Sequence, residues 1–152
     1  MLIEGDKAPA FKATDQYGKT IELTDFPGMK VILFFYPEDN TLTCTQEACN
    51  LRDNFLTLRK KGFVILGVSP QDVKSHAKFS GRFNLPFSLL ADPDRKITMA
   101  YGCWSKKKLF GYEYMGVLRT TFIIDGNGLI EKIIRKVRSK KHSQQILESY
   151  SA

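Results

Sequence analysis

Six consecutive apolar residues, Val31 to Tyr36, stop at Pro37 and give way within a short turn to a helical pattern. Such a run is too short for a helix, and its β-branched and aromatic side chains suit a strand buried on both faces. The polar turn Glu38-Asp39-Asn40 follows. Ala48, Leu51, Phe55 and Leu58 then recur at three- and four-residue intervals and form one apolar stripe, ended by Lys61-Gly62. One turn further back the stripe reaches Cys44. Thr43 with Gln46 three residues on has the form of a capping box, which makes Cys44 the first helical residue. Unpaired N–H groups and the positive end of the helix dipole favour a thiolate there. The same position also suits a cysteine that is only a small core residue.

The remaining elements follow in order. Phe11 to Thr14 and Thr20 to Leu23 flank the turn Asp15-Gln16-Tyr17-Gly18, a small N-terminal hairpin. Phe63 to Val68 is a second apolar strand; strand, helix and strand within about forty residues make a βαβ unit with parallel strands. Ser69-Pro70 opens a helix over Gln71 to Arg82, and His76 on it reads as a surface or capping residue. Leu89-Leu90 is a short strand, and Asp92 caps a helix over Pro93 to Tyr101. Leu118 to Ile124 and Leu129 to Arg135 are strands joined by Asp125-Gly126-Asn127-Gly128, and Ser143 to Tyr150 is a terminal helix. This order predicts an α/β, thioredoxin-like fold: a central mixed sheet flanked by helices, with an N-terminal β-hairpin extension. The 152 residues favour a single domain over 1–152.

Pro37, Thr41 and Cys44 form P-x-x-x-T-x-x-C, which resembles the active-site signature of the peroxiredoxins. With Glu47-Ala48-Cys49 and Arg52-Asp53 the segment is similar to the bacterioferritin comigratory protein subfamily. Ser69-Pro70, Ser75-His76, Leu85-Pro86-Phe87, Tyr101-Gly102, Trp104 and Arg119 with Phe122-Ile123-Ile124-Asp125 extend the likeness over nearly the whole chain. Two positions depart from the pattern: Leu42-Thr43 stands where Pro-Gly is usual, and Cys103 replaces an aliphatic residue. The resemblance implies an antioxidant thiol peroxidase acting on hydrogen peroxide and alkyl hydroperoxides. In it Cys44 is the peroxidatic thiol and Cys49 the resolving one. Thr41 hydrogen-bonds thiolate and peroxide, Arg119 supplies positive charge beside the sulfur, and Pro37 shields the pocket from water. Glu47 is a candidate for the same electrostatic network, Trp104 a packing residue, and Cys103 a bystander. The resemblance implies no metal, haem or flavin, recycling by thioredoxin or a similar thiol, and a monomer.

A runner-up enzyme class is a thiol–disulfide reductase, but those rely on C-x-x-C, and this chain has C-x-x-x-x-C. The cysteines, His76 and His142 lack the close spacing of a structural zinc site. The formal charge of +7 concentrates in Lys106 to Lys108 and from Lys132 to Lys141, without interleaved aromatics or a nucleic-acid motif. A solvated face is expected there. No apolar run approaches the roughly 20 residues of a membrane span, and the N-terminus lacks the pattern of a signal peptide. Three cysteines without a disulfide framework fit a cytoplasmic chain.

Overall fold

The structure, a computed structural model, describes residues 1–150. A hairpin of β1 (Lys12–Thr14) and β2 (Thr20–Glu22) precedes β3 (Lys30–Phe35). Then come α1 (Leu42–Asp53), α2 (Phe55–Lys60), β4 (Phe63–Ser69), α3 (Val73–Phe83), β5 (Ser88–Ala91) and α4 (Lys96–Ala100). A second hairpin, β6 (Trp104–Leu109) and β7 (Tyr112–Val117), leads to β8 (Thr120–Ile124), β9 (Ile130–Ile134) and α5 (His142–Glu148).

The central sheet has the order β5-β4-β3-β8-β9. β3, β4 and β5 pair in parallel, as crossovers through helices allow, and β8 and β9 join antiparallel. This is the expected mixed sheet with its N-terminal hairpin. Because strand side chains alternate, β3 feeds two cores. Val31, Leu33 and Phe35 pack on one face with Phe122, Tyr101 and Cys103. Ile32, Phe34 and Tyr36 pack on the other with Cys44, Leu51, Phe79 and Ile146. Among the described residues no helix is long and apolar enough to cross a membrane.

Three expected elements differ in detail. The helix after the Glu38-Asp39-Asn40 turn is two helices, because the Asn54 side chain donates to the Asn50 carbonyl at 2.9 Å and competes with the helical ladder. α3 starts at Val73, where Asp72 rather than Ser69-Pro70 caps it by accepting from the Ser75 amide. Asp92 accepts from the amides of Ile97 and Thr98 as a cap should, but α4 begins only after Arg95, which turns left-handed. The β6–β7 hairpin has no counterpart in the sequence expectations. It turns at Phe110-Gly111, both with positive φ as a two-residue hairpin turn demands.

Candidate active site

The chain leaves β3 through Pro37, turns at Asn40 in the left-handed region (φ 66°), and enters α1 with Thr41 as its N-cap. The expected capping box at Thr43 is therefore not formed, and Cys44 is the third helical residue rather than the first. It still lies in the first turn, where its amide has no intrahelical acceptor. The early start explains why the Leu42-Thr43 departure is tolerated. Leu42 occupies the first helical position, where the amide is orphaned with or without a proline. Cys44 itself is buried, 2% exposed.

Arg119, just before β8, reaches across the sheet to the sulfur. Its Nη2 donates to Cys44 Sγ at 3.2 Å, and its Nη1 donates to Glu47 Oε1 at 2.8 Å. Glu47 lies on the same face of α1 as Cys44 and is fully buried. Burial pushes its carboxyl up to about 7, against the pull of Arg119. Its other oxygen, Oε2, has no hydrogen-bond partner among the described residues. The nearest charge-bearing group recorded there is His142 Nε2, 3.5 Å away.

His142 reaches this place because α5 is docked on α1 by Asn50. The Asn50 side chain accepts from the Ser143 amide at 2.7 Å and donates to the Lys140 carbonyl at 3.0 Å. The buried His142 ring contacts Thr121 Oγ1 at 2.7 Å and Gln145 Oε1 at 3.0 Å. Burial, aided by Arg119, pushes the ring down to about 4. Nothing in the order of residues marks His142 as a neighbour of Glu47, ninety-five positions away.

The second histidine also differs from expectation. His76 is a fully buried residue, not a surface or capping one. Its Nδ1 lies 2.7 Å from Asp39 Oδ2 and its Nε2 lies 3.1 Å from the Leu90 carbonyl. Asp39 also accepts from the Tyr36 hydroxyl at 2.6 Å and the Ser75 hydroxyl at 2.7 Å. Burial raises the Asp39 carboxyl, but the bonds from His76, Tyr36 and Ser75 outweigh it and hold the group below its ordinary value. The cluster pins the loop between Pro37 and Thr41 to α3 and β5. Ser75-His76, one of the family matches, is its trace in the sequence.

Pro37 is half-buried, and its carbonyl accepts from the Ser69 hydroxyl at 3.3 Å. The Thr41 hydroxyl donates to the Glu38 carbonyl at 3.3 Å, so the sulfur's partner here is Arg119 and not Thr41 as expected. Cys49 is half-buried on the unbroken α1, and all three thiols are free. Burial raises the Cys49 thiol above its ordinary value. Cys103 belongs to the core on the opposite face of the sheet, and burial pushes its thiol up to about 11. Trp104 packs against that same far core under Arg95, whose guanidinium sits 4.7 Å from the ring centroid.

Residues 4–133 match the model of the AhpC/TSA family. Peroxiredoxin Bcp of Bacillus subtilis (strain 168) is 43% identical, over 98% of this chain and 96% of that protein. The crystal structure of peroxidoxin BcpB from Mycobacterium tuberculosis superposes with a TM-score of 0.86 at 30% identity, covering 98% of this chain and 96% of that one. A bacterioferritin comigratory protein of Xanthomonas campestris, described for its alkyl peroxide reduction activity, gives a TM-score of 0.86 at 29% identity, covering 91% and 88%.

Proposed function

The chain belongs to the AhpC/TSA family and, within it, to the Bcp peroxiredoxins, thiol-dependent peroxidases, and on that premise we propose that Cys44 is its peroxidatic residue. The observation that carries this reading is the Arg119 guanidinium, 3.2 Å from Cys44 Sγ in a site where the sulfur is buried. A permanent cation touching sulfur favours thiolate over thiol, and the first turn of α1 adds to it.

The Cys44 thiolate attacks the distal oxygen of hydrogen peroxide or an alkyl hydroperoxide. An S–O bond forms as the O–O bond breaks, leaving a sulfenic acid on Cys44 and a hydroxide or alkoxide that takes up a proton. Negative charge moves from sulfur to the departing oxygen, and Arg119 together with the first-turn amides stabilises both ends of that movement. Thr41 turns its hydroxyl from Glu38 to the peroxide by rotation about χ1. Pro37 walls the pocket. The Cys49 thiol then condenses with the sulfenic acid, releasing water and forming a disulfide. Thioredoxin or a similar dithiol reduces that bond and returns both cysteines, in a monomeric, cytoplasmic enzyme.

A single-turnover peroxide assay tests the assignment. Cys44→Ser should lose the first turnover. Arg119→Ala should slow it, on the order of 10²-fold for the loss of one preorganised donor. A Cys44→Ser protein that still reduces one equivalent of peroxide would rule the reading out.

A further inference from the structure

We propose that His142 is a positioning residue for this reaction: it shares one proton with Glu47 and so sets how much of the Arg119 charge acts on Cys44. This rests on the reading of Cys44 as the nucleophile.

Three features of the geometry carry it. Arg119 spans the two groups, with Nη1 on Glu47 Oε1 and Nη2 on Cys44 Sγ, so a charge on Glu47 is felt at the sulfur through one guanidinium. Glu47 Oε2, by contrast, is buried and unbonded, with His142 Nε2 at 3.5 Å. The third feature is the tautomer of His142. The Gln145 side-chain amide nitrogen donates to the Lys136 carbonyl, and its Oε1 accepts from the Arg138 amide. Gln145 Oε1 is therefore the acceptor for His142 Nδ1, which must carry a hydrogen. In the neutral ring, Nε2 is left as an acceptor and cannot satisfy an ionised Oε2.

One proton resolves the conflict. Placed on Glu47, it faces the Nε2 lone pair; placed on His142, it faces the carboxylate. In the first case the Thr121 hydroxyl, 2.7 Å from Nε2, and the Glu47 carboxyl share its single lone pair; in the second the one Nε2 hydrogen is shared between Thr121 Oγ1 and the carboxylate. The raised Glu47 and lowered His142 both favour the carboxyl as its seat. The other titratable and charged groups facing the pair are Cys44 on α1, Arg119 before β8 and Tyr36 just after β3. Lys140 and Lys141, on the 3-10 turn packed against α1, are exposed, and Lys107, Arg135 and Lys136 line a groove with the outer edge of Arg119. With its proton the pair is neutral and Arg119 is left to the thiolate. Without it, the Glu47 carboxylate offsets Arg119 and the thiolate is less favoured. By linkage, a thiolate on Cys44 must in turn strengthen the pair's hold on its proton.

Two measurements test this. In nuclear magnetic resonance of the intact protein, the Glu47 carboxyl carbon and the His142 ring nitrogens should move in one common step near neutral pH. That step should shift to lower pH in Cys44→Ser. Separately, the pH profile of Cys44 oxidation should contain a second ionisation that is lost in Glu47→Gln and displaced in His142→Leu. A His142 ring whose signals stay constant while Glu47 titrates, or a second ionisation unmoved by His142→Leu, overturns the proposal. The resonance measurement needs no peroxide, so its failure is separable from failure of the peroxidase assignment, which Cys44→Ser turnover decides.

Discussion

At the scale of single residues, the pair behind Arg119 makes opposite demands on folding when either member is removed. In the unfolded chain a histidine takes a proton below its ordinary 6.5 and a glutamate releases one above 4.5. Folded, the pair holds one proton up to about 7, the value of Glu47. Folded and unfolded forms thus bind nearly equal numbers of protons, and the wild-type pair adds little slope to stability. Glu47→Gln leaves His142 with a depressed folded value of about 4 against 6.5, so stability should fall as pH drops through 6.5. His142→Leu leaves Glu47 with a raised folded value of about 7 against 4.5, so stability should fall as pH rises from 4.5 to 7. Urea midpoints of the two variants at pH 5 and pH 8 should therefore change in opposite directions. Slopes of the same sign would mean that burial does not push the two groups in opposite directions.

At the scale of the element, α1 carries Cys44, the proposed nucleophile, Glu47, the partner of Arg119, and Cys49, the proposed resolving thiol, on one continuous helix. Residues five apart on an α-helix have Cα atoms separated by about 8.6 Å, more than the roughly 7 Å a disulfide spans. Cys44 and Cys49 can join only if the first turns of α1 open. Thr41 makes no side-chain cap, so the end that must open is the less fastened one. Further along, Asn50 ties α1 to Ser143 and Lys140 and resists the opening. One equivalent of peroxide should give an intramolecular Cys44–Cys49 bond by mass spectrometry. It should also give faster amide exchange from Thr43 to Leu51, with α5 loosened beside it. A Cys44–Cys103 bond would contradict this, and the sheet between those two thiols argues against one.

At the scale of the whole molecule, both cores depend on how closely β3, β4 and β5 approach. Gly67 on β4 lies between Phe34 and Leu89 in the strand register, and these two side chains close over it. A Cβ there would stand 2.8 Å from Phe34 Cζ and 2.8 Å from Leu89 Cδ2. Neither can retreat from a filled core. Gly67→Ala should cost about 1–3 kcal/mol by overpacking, read as a lower urea midpoint with an unchanged m-value. An unchanged midpoint would show that the core yields at this point.

Periodicity alone determined much of this protein. The buried run from Val31 to Tyr36, the βαβ unit, the Asp125 to Gly128 turn and the N-terminal hairpin were legible because each is a local pattern of apolar spacing and turn chemistry. The signature of Pro37, Thr41 and Cys44, with Arg119 downstream, was legible through likeness to a family. The β6–β7 hairpin was not, since a lysine run and an aromatic residue with positive φ at Phe110 mask the usual turn signal. Nor were the roles of the two histidines. His76 meets Asp39 across thirty-seven positions and His142 meets Glu47 across ninety-five. A histidine's surroundings, unlike its helix, are set by which elements dock on which, and docking is decided by contacts such as Asn50 on Ser143 that leave no period in the sequence. Tertiary packing alone removed water from Glu47, left one of its oxygens unbonded, and put an imidazole beside it.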